Sequence, residues 1–212
     1  MARPKRTPRS SPRTSAAPSP WVFVREFIRS PRDMGTLFPC SPAVAKAMLR
    51  GLETSGWRAV AELGPGNGVL TPTLVAGLPA SCRFIALEIS QVLAAEFRER
   101  LPALELVEAD AANLADVCRA RGIDHLDAVF SALPLRLLSP IALGEVLAAA
   151  AATLRPGGIF AQVTYWPSAL APGRQLRNQV VAHVGPIESD RLVAGNAPPA
   201  WVFRCVKQQT GA

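Results

Sequence analysis

The stretch Ala61-Glu62-Leu63-Gly64-Pro65-Gly66-Asn67-Gly68-Val69-Leu70-Thr71 decides how the rest of the chain is read. An apolar run from Trp57 to Leu63, with Arg58 and Glu62 as its polar members, stops at three glycines spaced two apart. Val69, Leu70 and Leu74 follow at helical spacing. Strand, tight turn and helix start is the sequence form of the place where an open α/β sheet holds its ligand. Glycine suits such a turn because it tolerates positive φ and lets a ligand approach the backbone.

Outward from this turn, strand and helix signals alternate. Val60–Leu63 reads as a first strand, with its helix over Val69–Val75. Arg83–Glu88 is a second strand, followed by a Ser90-capped helix reaching Leu101. Leu104–Val107 is a third, with a short helix over Leu114–Arg121. Leu126–Ala132 and a helix from Pro140 to Leu154 come next, and the turn Arg155-Pro156-Gly157-Gly158 launches a strand over Ile159–Thr164. Such alternation implies an α/β fold with a doubly wound, mostly parallel sheet. Val180–Val184 and Trp201–Val206 read as two closing strands, the last of them antiparallel, with Pro198-Pro199 fixing the approach to the second. Ahead of the core, Ser41 reads as an N-cap with Pro42 at the first helical position, in a helix that ends near Gly56. The expected organisation is a disordered basic tail over 1–20, amphipathic helices and a lid over 21–56, and a ligand-binding core over 57–212.

The chain has 212 residues, 49% hydrophobic and 18% charged, enough for one domain with a proper core. No apolar run reaches the ~18 residues that span a bilayer, so the expectation is a soluble or peripheral protein. The net charge of +7 is a tail property: residues 1–20 hold five basic side chains and no acid, and the remainder holds 18 basic and 16 acidic. A core that clamped phosphates along its surface would itself be basic, so no nucleic-acid partner is expected. Cys40, Cys82, Cys118 and Cys205 are widely separated and only His125 and His183 could assist them, so no metal site and reduced thiols are expected. Both histidines read as structural or surface residues.

The acid-free start is open to three readings: a solvated tail, an electrostatic tether to anionic lipid, or an organelle transit peptide. In Trp21–Arg29, a helix would place Phe23, Val24, Phe27 and Ile28 on one face, with Arg25, Glu26, Arg29 and Arg32 on the other. That pattern suits a membrane interface or packing on the chain's own core.

Dinucleotide enzymes use G-x-G-x-x-G. Here the order is E-x-G-x-G-x-G, which resembles the S-adenosyl-L-methionine motif of class I methyltransferases. Glu88 closes the second strand, 20 residues after Gly68, where a carboxylate accepts ribose hydroxyls. Asp110 resembles the family's acid near the adenine, with Ala111 offering a backbone N–H, and Glu62 is expected to face the methionine ammonium. The resemblance thus implies a Rossmann-like class I fold and a cofactor set of Glu62, Gly64, Pro65, Gly66, Gly68, Glu88, Ile89, Asp110, Ala111 and Ser131.

The acceptor side is read from the end of the fourth strand, Phe130-Ser131-Ala132-Leu133-Pro134-Leu135. Adenine N6 dimethylases carry Asn-Leu-Pro-Tyr there; Ser131 and Leu135 supply neither the amide nor the ring. A rRNA-dimethylase-like enzyme and a small-molecule methyltransferase are the alternatives, and a lipid-binding module without catalysis is a third. Phe27-Ile28-Arg29-Ser30-Pro31, Met34-Gly35, Pro39-Cys40-Ser41, Ser131-x-Leu133-Pro134-Leu135, Leu154-Arg155-Pro156-Gly157-Gly158, Gln162-x-Thr164-Tyr165 and Asn196-x-Pro198-Pro199-Ala200 together resemble the small bacterial phospholipid N-methyltransferases. Two positions depart: Cys40 stands where Ser is usual, and Trp166 where a small residue is usual. The resemblance implies methylation of phosphatidylethanolamine towards phosphatidylcholine by a cytoplasmic enzyme on the inner face of the membrane, with residues 1–32 on the anionic surface. Tyr165, Ser131 and Pro134 are the candidate catalytic residues. Tyr165 would meet the head group through its hydroxyl or its ring, or else pack at a strand end under the lid.

Overall fold

The computed structural model describes residues 40–208. The expectations for the basic tail, the Trp21–Arg29 helix and the first half of the lid lie outside the described residues. Seven strands form one sheet: β1 (Ala59–Leu63), β2 (Arg83–Glu88), β3 (Glu105–Glu108), β4 (Leu126–Ser131), β5 (Leu154–Thr164), β6 (Ile187–Val193) and β7 (Ala200–Val206), in the order β3-β2-β1-β4-β5-β7-β6. Strands β1 to β5 pair in parallel, and β7 runs antiparallel between β5 and β6. The doubly wound, mostly parallel sheet with an antiparallel last strand is therefore the observed architecture. Strand order reverses between β1 and β4, and the crevice outside their C-terminal ends is where such sheets hold ligands.

All five residues of β1 are buried, because helices cover both faces of the sheet. One face packs Val44, Ala45 and Met48 of α1 (Pro42–Leu49) and Leu74 of α2 (Thr71–Ala76) on Val60, Phe130, Ala161 and Val202. α3 (Gln91–Arg100) packs on β2 and β3. The other face packs Leu114 and Val117 of α4 (Leu114–Ala120), Ala142, Val146 and Leu147 of α5 (Pro140–Thr153), and Leu176 and Val180 of α6 (Ala171–His183) on Ala61, Val129 and Phe160. Ser90 and Ser139 cap α3 and α5 through Leu93 N–H and Ala142 N–H. Ser41 precedes α1 as expected but does not cap it. Its N–H donates to Asn196 Oδ1 at 2.7 Å, and its hydroxyl donates to the Gly195 carbonyl. All four cysteines are free thiols.

Two expectations are corrected. α1 stops at Leu49 rather than near Gly56, because Gly51 takes a φ of 74°. More substantially, Val180–Val184 is not a strand; Val180 to His183 form the last turn of α6, and Val184 follows it. The Val-Val-Ala-His-Val run has no alternation, whereas Gly173, Leu176, Arg177 and Val180 recur at helical spacing and are the buried residues of the helix. The strand beside β7 is β6, Ile187-Glu188-Ser189-Asp190-Arg191-Leu192-Val193. It is an edge strand, mostly exposed, so its sequence carries little apolar signal.

β6 is held by charge instead. Arg177, 3% exposed, forms a two-pronged ion pair with Asp190 (Nε–Oδ2 2.7 Å, Nη2–Oδ1 2.8 Å). It lies over the Phe203 ring at 4.8 Å and donates to the Trp166 and Gly173 carbonyls. Removing one partner of a buried pair strands the other charge and costs about 3–5 kcal/mol. Arg177→Ala should lower the urea unfolding free energy by about that much, and Asp190→Asn, which leaves the guanidinium hydrogen-bonded, by less.

Candidate cofactor and acceptor site

The glycine turn is fastened to β2 and to itself. Gly64 N–H donates to the Leu87 carbonyl at 2.9 Å, and Gly68 N–H to the Pro65 carbonyl at 3.0 Å. Glu88, at the end of β2, accepts from Gly66 N–H at 3.1 Å and Ser90 N–H at 2.9 Å, with the Ile89 backbone N–H also supporting the carboxylate. Burial pushes Glu88 above the ordinary carboxylate range, and those donors oppose the rise. A carboxylate offers about four acceptor positions, so Glu88 keeps capacity for ribose hydroxyls while it shapes the turn.

The glycines play two different parts. A side chain at Gly64 would lie 2.5 Å from Leu133 Cδ2, so close packing against the β4 exit excludes one. Gly66 has a φ of 60°, and a Cβ there would meet no atom within 4 Å. Its position borders open space, the cradle into which a ligand phosphate, ribose or amino acid would fit.

Glu62 is 1% exposed. Its Oε2 accepts from Thr71 Oγ1, the first residue of α2, at 2.7 Å, and its Oε1 is buried with no partner among the described residues. Burial raises its pKa to about 7; the Thr71 hydroxyl opposes that and the Glu88 charge adds to it. A buried carboxylate oxygen with no donor suits a cationic or N–H-bearing ligand group, such as the methionine ammonium. Asp110 accepts from Ala112 N–H at 2.8 Å and opens the single turn that begins at buried Ala111. Its pKa too is raised by burial.

At the end of β4, Ser131 is fully buried, and its hydroxyl lacks a partner among the described residues. It sits in register with Gln162 of β5, whose Nε2 donates to the Leu133 carbonyl at 2.9 Å and whose Oε1 is likewise unpartnered. Gln162 thereby fixes the loop that carries Leu133 and Pro134, and Leu133 in turn fills the space beside Gly64. Pro134 is half-buried and starts the short 3-10 turn Leu135–Leu137. Tyr165 is half-buried next to Ala132 and Val163, on the Glu62 side of the sheet. Its hydroxyl lies 3.5 Å from Asn196 Nδ2 and 3.7 Å from Cys40 Sγ. Asn196, 2% exposed, also holds Ser41 N–H and the Pro198 carbonyl. Burial raises the pKa of both the phenol and the Cys40 thiol.

Three residues that sequence reasoning did not assign to the site thus organise it. Thr71, Gln162 and Asn196 are each buried polar side chains inside quoted motifs; their polarity within apolar surroundings was the available signal.

The Glu62 carboxylate binds a proton in the folded protein between its ordinary value of 4.5 and about 7, where the unfolded chain does not. Stability therefore falls as pH rises through that window and stays low above it. Glu62→Gln should raise the midpoint of thermal unfolding at pH 8, with the gain shrinking to nothing near pH 4.5. The same substitution should weaken S-adenosyl-L-homocysteine binding by roughly tenfold to a hundredfold. Wild-type affinity should decline as pH drops below 7, and the variant's should stay flat; calorimetric titration at several pH values reads both.

Residues 60–158 match the family described as a methyltransferase domain. Ornithine lipid N-methyltransferase of Singulisphaera acidiphila is 29% identical over 150 residues, which is 69% of this chain and 78% of that protein. Among solved structures, Burkholderia thailandensis 1,6-didemethyltoxoflavin-N1-methyltransferase, bound to S-adenosylhomocysteine, superposes with a TM-score of 0.67 at 19% identity, covering 95% of this chain and 94% of that one. Aeropyrum pernix fibrillarin, with natively bound S-adenosyl-L-methionine, gives a TM-score of 0.61 at 15% identity over 77% and 74%. These likenesses agree with the sheet order and with the Glu62–Gly68 turn. The fold is that of class I methyltransferases, residues 60–158 match a methyltransferase domain, and S-adenosyl-L-methionine is the methyl donor these likenesses support.

Proposed function

We propose that this methyltransferase transfers methyl groups to the primary amine of a membrane lipid, with phosphatidylethanolamine as the first acceptor to test and phosphatidylcholine as the end of the series. The observation that carries this reading is the meeting of three separate stretches at one corner of the sheet. Cys40-Ser41, Gln162-x-Thr164-Tyr165 and Asn196-x-Pro198 are hydrogen-bonded into one cluster beside the end of β5. These are among the stretches whose sequence resembles phospholipid N-methyltransferases. The relative that acts on an ornithine lipid supports the same acceptor chemistry, an amine on a lipid.

When bound, S-adenosyl-L-methionine supplies an electrophilic methyl group on a sulfonium. The residues proposed to hold it are Glu62 towards the ammonium, Glu88 towards the ribose, and Asp110 with Ala111 towards the adenine. Pro65, Ile89 and the Gly64, Gly66 and Gly68 backbone complete the cradle. Ser131 and Pro134 border the acceptor side, and the Tyr165 ring faces a head-group ammonium. Because burial keeps the Tyr165 phenol and the Cys40 thiol protonated near neutral pH, neither removes the proton from the acceptor. The amine must lose it to solvent, and positioning supplies most of the rate enhancement. The sequence of residues 1–32, basic and aromatic, is proposed to meet the anionic surface of the inner leaflet. Among the described residues no helix is long and apolar enough to cross a membrane.

Vesicles of phosphatidylethanolamine and phosphatidylglycerol, incubated with the protein and methyl-labelled S-adenosyl-L-methionine, should carry label into the lipid fraction. Label in added rRNA with inert lipid would contradict the proposal. With acceptor saturating, turnover should climb by about tenfold per pH unit below the amine pKa, with no plateau set by a protein base.

A further inference from the structure

The connections that leave β4 and β5 carry large apolar side chains that nothing among the described residues covers. Leu137, Trp166 and Leu170 are 50%, 45% and 50% exposed, although the strands they follow are buried at their C-terminal ends. They lie on neighbouring segments: the Leu135–Leu137 turn packs on α6, and Arg177 of that helix holds the Trp166 carbonyl. The helix begins directly after Leu170. Gly173 fits under the Trp166–Pro167 backbone, where a side chain would come within 2.0 Å of the Pro167 carbonyl oxygen, so the Trp166 loop is pinned against α6.

Charge around these side chains is one-sided. Residues 128–144 and 154–187 contain no Asp or Glu. The exposed charges beside the three apolar side chains are Arg136 and Arg174. Exposed acids stand towards the other sheet edge, at Glu96 and Glu99 on α3 and Glu105 and Glu108 on β3. On the near side, Asp190 and Glu188 of β6 are paired with Arg177 and Arg204, and Glu145 stands on α5. Three apolar side chains are far too few for a stable protein interface, which buries at least about 1,200 Å². A shallow contact by one tryptophan and two leucines, flanked by arginines, is sufficient at the boundary of an anionic bilayer.

We propose that Leu137, Trp166 and Leu170, with Arg136 and Arg174, form a second membrane contact, separate from residues 1–32, that seats the C-terminal ends of β4 and β5 on the lipid surface. It rests on the lipid-amine reading of the site and adds an orientation to it. Trp166 follows Tyr165 and Leu137 lies three residues beyond Pro134, so insertion of this rim brings the acceptor side of the site to the level of the head groups. A lipid amine then reaches the site without leaving the leaflet.

The test uses the full chain carrying Trp21→Phe, in which Trp57 is buried and Trp166 is the most exposed described indole. Phosphatidylglycerol vesicles with brominated acyl chains should shift Trp166 emission to the blue and quench it, and a further Trp166→Phe change should remove that component. Leu137→Ser, Trp166→Ala and Leu170→Ser together should lower sedimentation with these vesicles by at least about tenfold. Turnover of a short-chain phosphatidylethanolamine below its micelle concentration should be unchanged. Trp166 emission that stays solvent-like on bound vesicles, or that is already blue-shifted without them because residues 1–39 cover the rim, overturns the proposal. Quenching without lipid methylation would leave the contact standing and remove the lipid-amine reading; lipid methylation with Trp166 in water would do the reverse.

Discussion

A carboxylate buried at the end of the central strand is the constraint around which the rest is arranged. Glu62 is one of five buried residues of β1, with a single hydroxyl from Thr71 and one oxygen without a donor among the described residues. Desolvation of such a group opposes folding at neutral pH. The surrounding core must offset that cost, and it does so with helices on both faces of a seven-stranded sheet. A cationic ligand would restore what burial removes, and the partner proposed for the free oxygen is the ammonium of the methyl donor. On that proposal fold stability and cofactor affinity are opposed at this residue, a trade-off common where a site is preorganised for charge.

Two networks extend outward from that point. The first runs from the glycine turn to the acceptor loop. Leu133 fills the space beside Gly64, Gln162 holds the Leu133 carbonyl, and Ser131 lies in register with Gln162. A change in the cofactor turn is therefore transmitted to Ser131 and Pro134 by direct packing. The second network joins the start of α1 to the β6–β7 connection through Asn196, with the Tyr165 hydroxyl between Asn196 and Cys40. It fixes Cys40 and Ser41, the first described residues, beside Tyr165 and Asn196.

Most of the fold was legible in the sequence because its signals are local. The glycine turn, the Ser90 cap, and the apolar runs of β1, β2 and β4 each specify their own element. Reading failed where stability comes from distant charge instead. β6 is polar and exposed, and beyond its backbone ladder to β7 it is tied down by the Arg177–Asp190 and Arg204–Glu188 pairs. Its neighbour α6 has a mixed surface that reads as strand over Val180–Val184. In the site, the acids at the strand ends were readable because their spacing is set by the strand and helix lengths between them. Gln162 and Asn196 were visible as motif letters, but their partners are 29 and 155 residues away, and no local pattern reports such pairings.

The central claim is that the amine acceptor of this class I methyltransferase is a membrane lipid. It is tested most directly by extracting total lipid from cells that overproduce the chain and identifying head groups by mass spectrometry, with Glu62→Gln as the control. The account predicts that mono-, di- or trimethylated aminolipids accumulate with the wild-type protein and not with the variant. An unchanged lipid profile, with new methylation found instead in RNA or in a water-soluble metabolite, would contradict it.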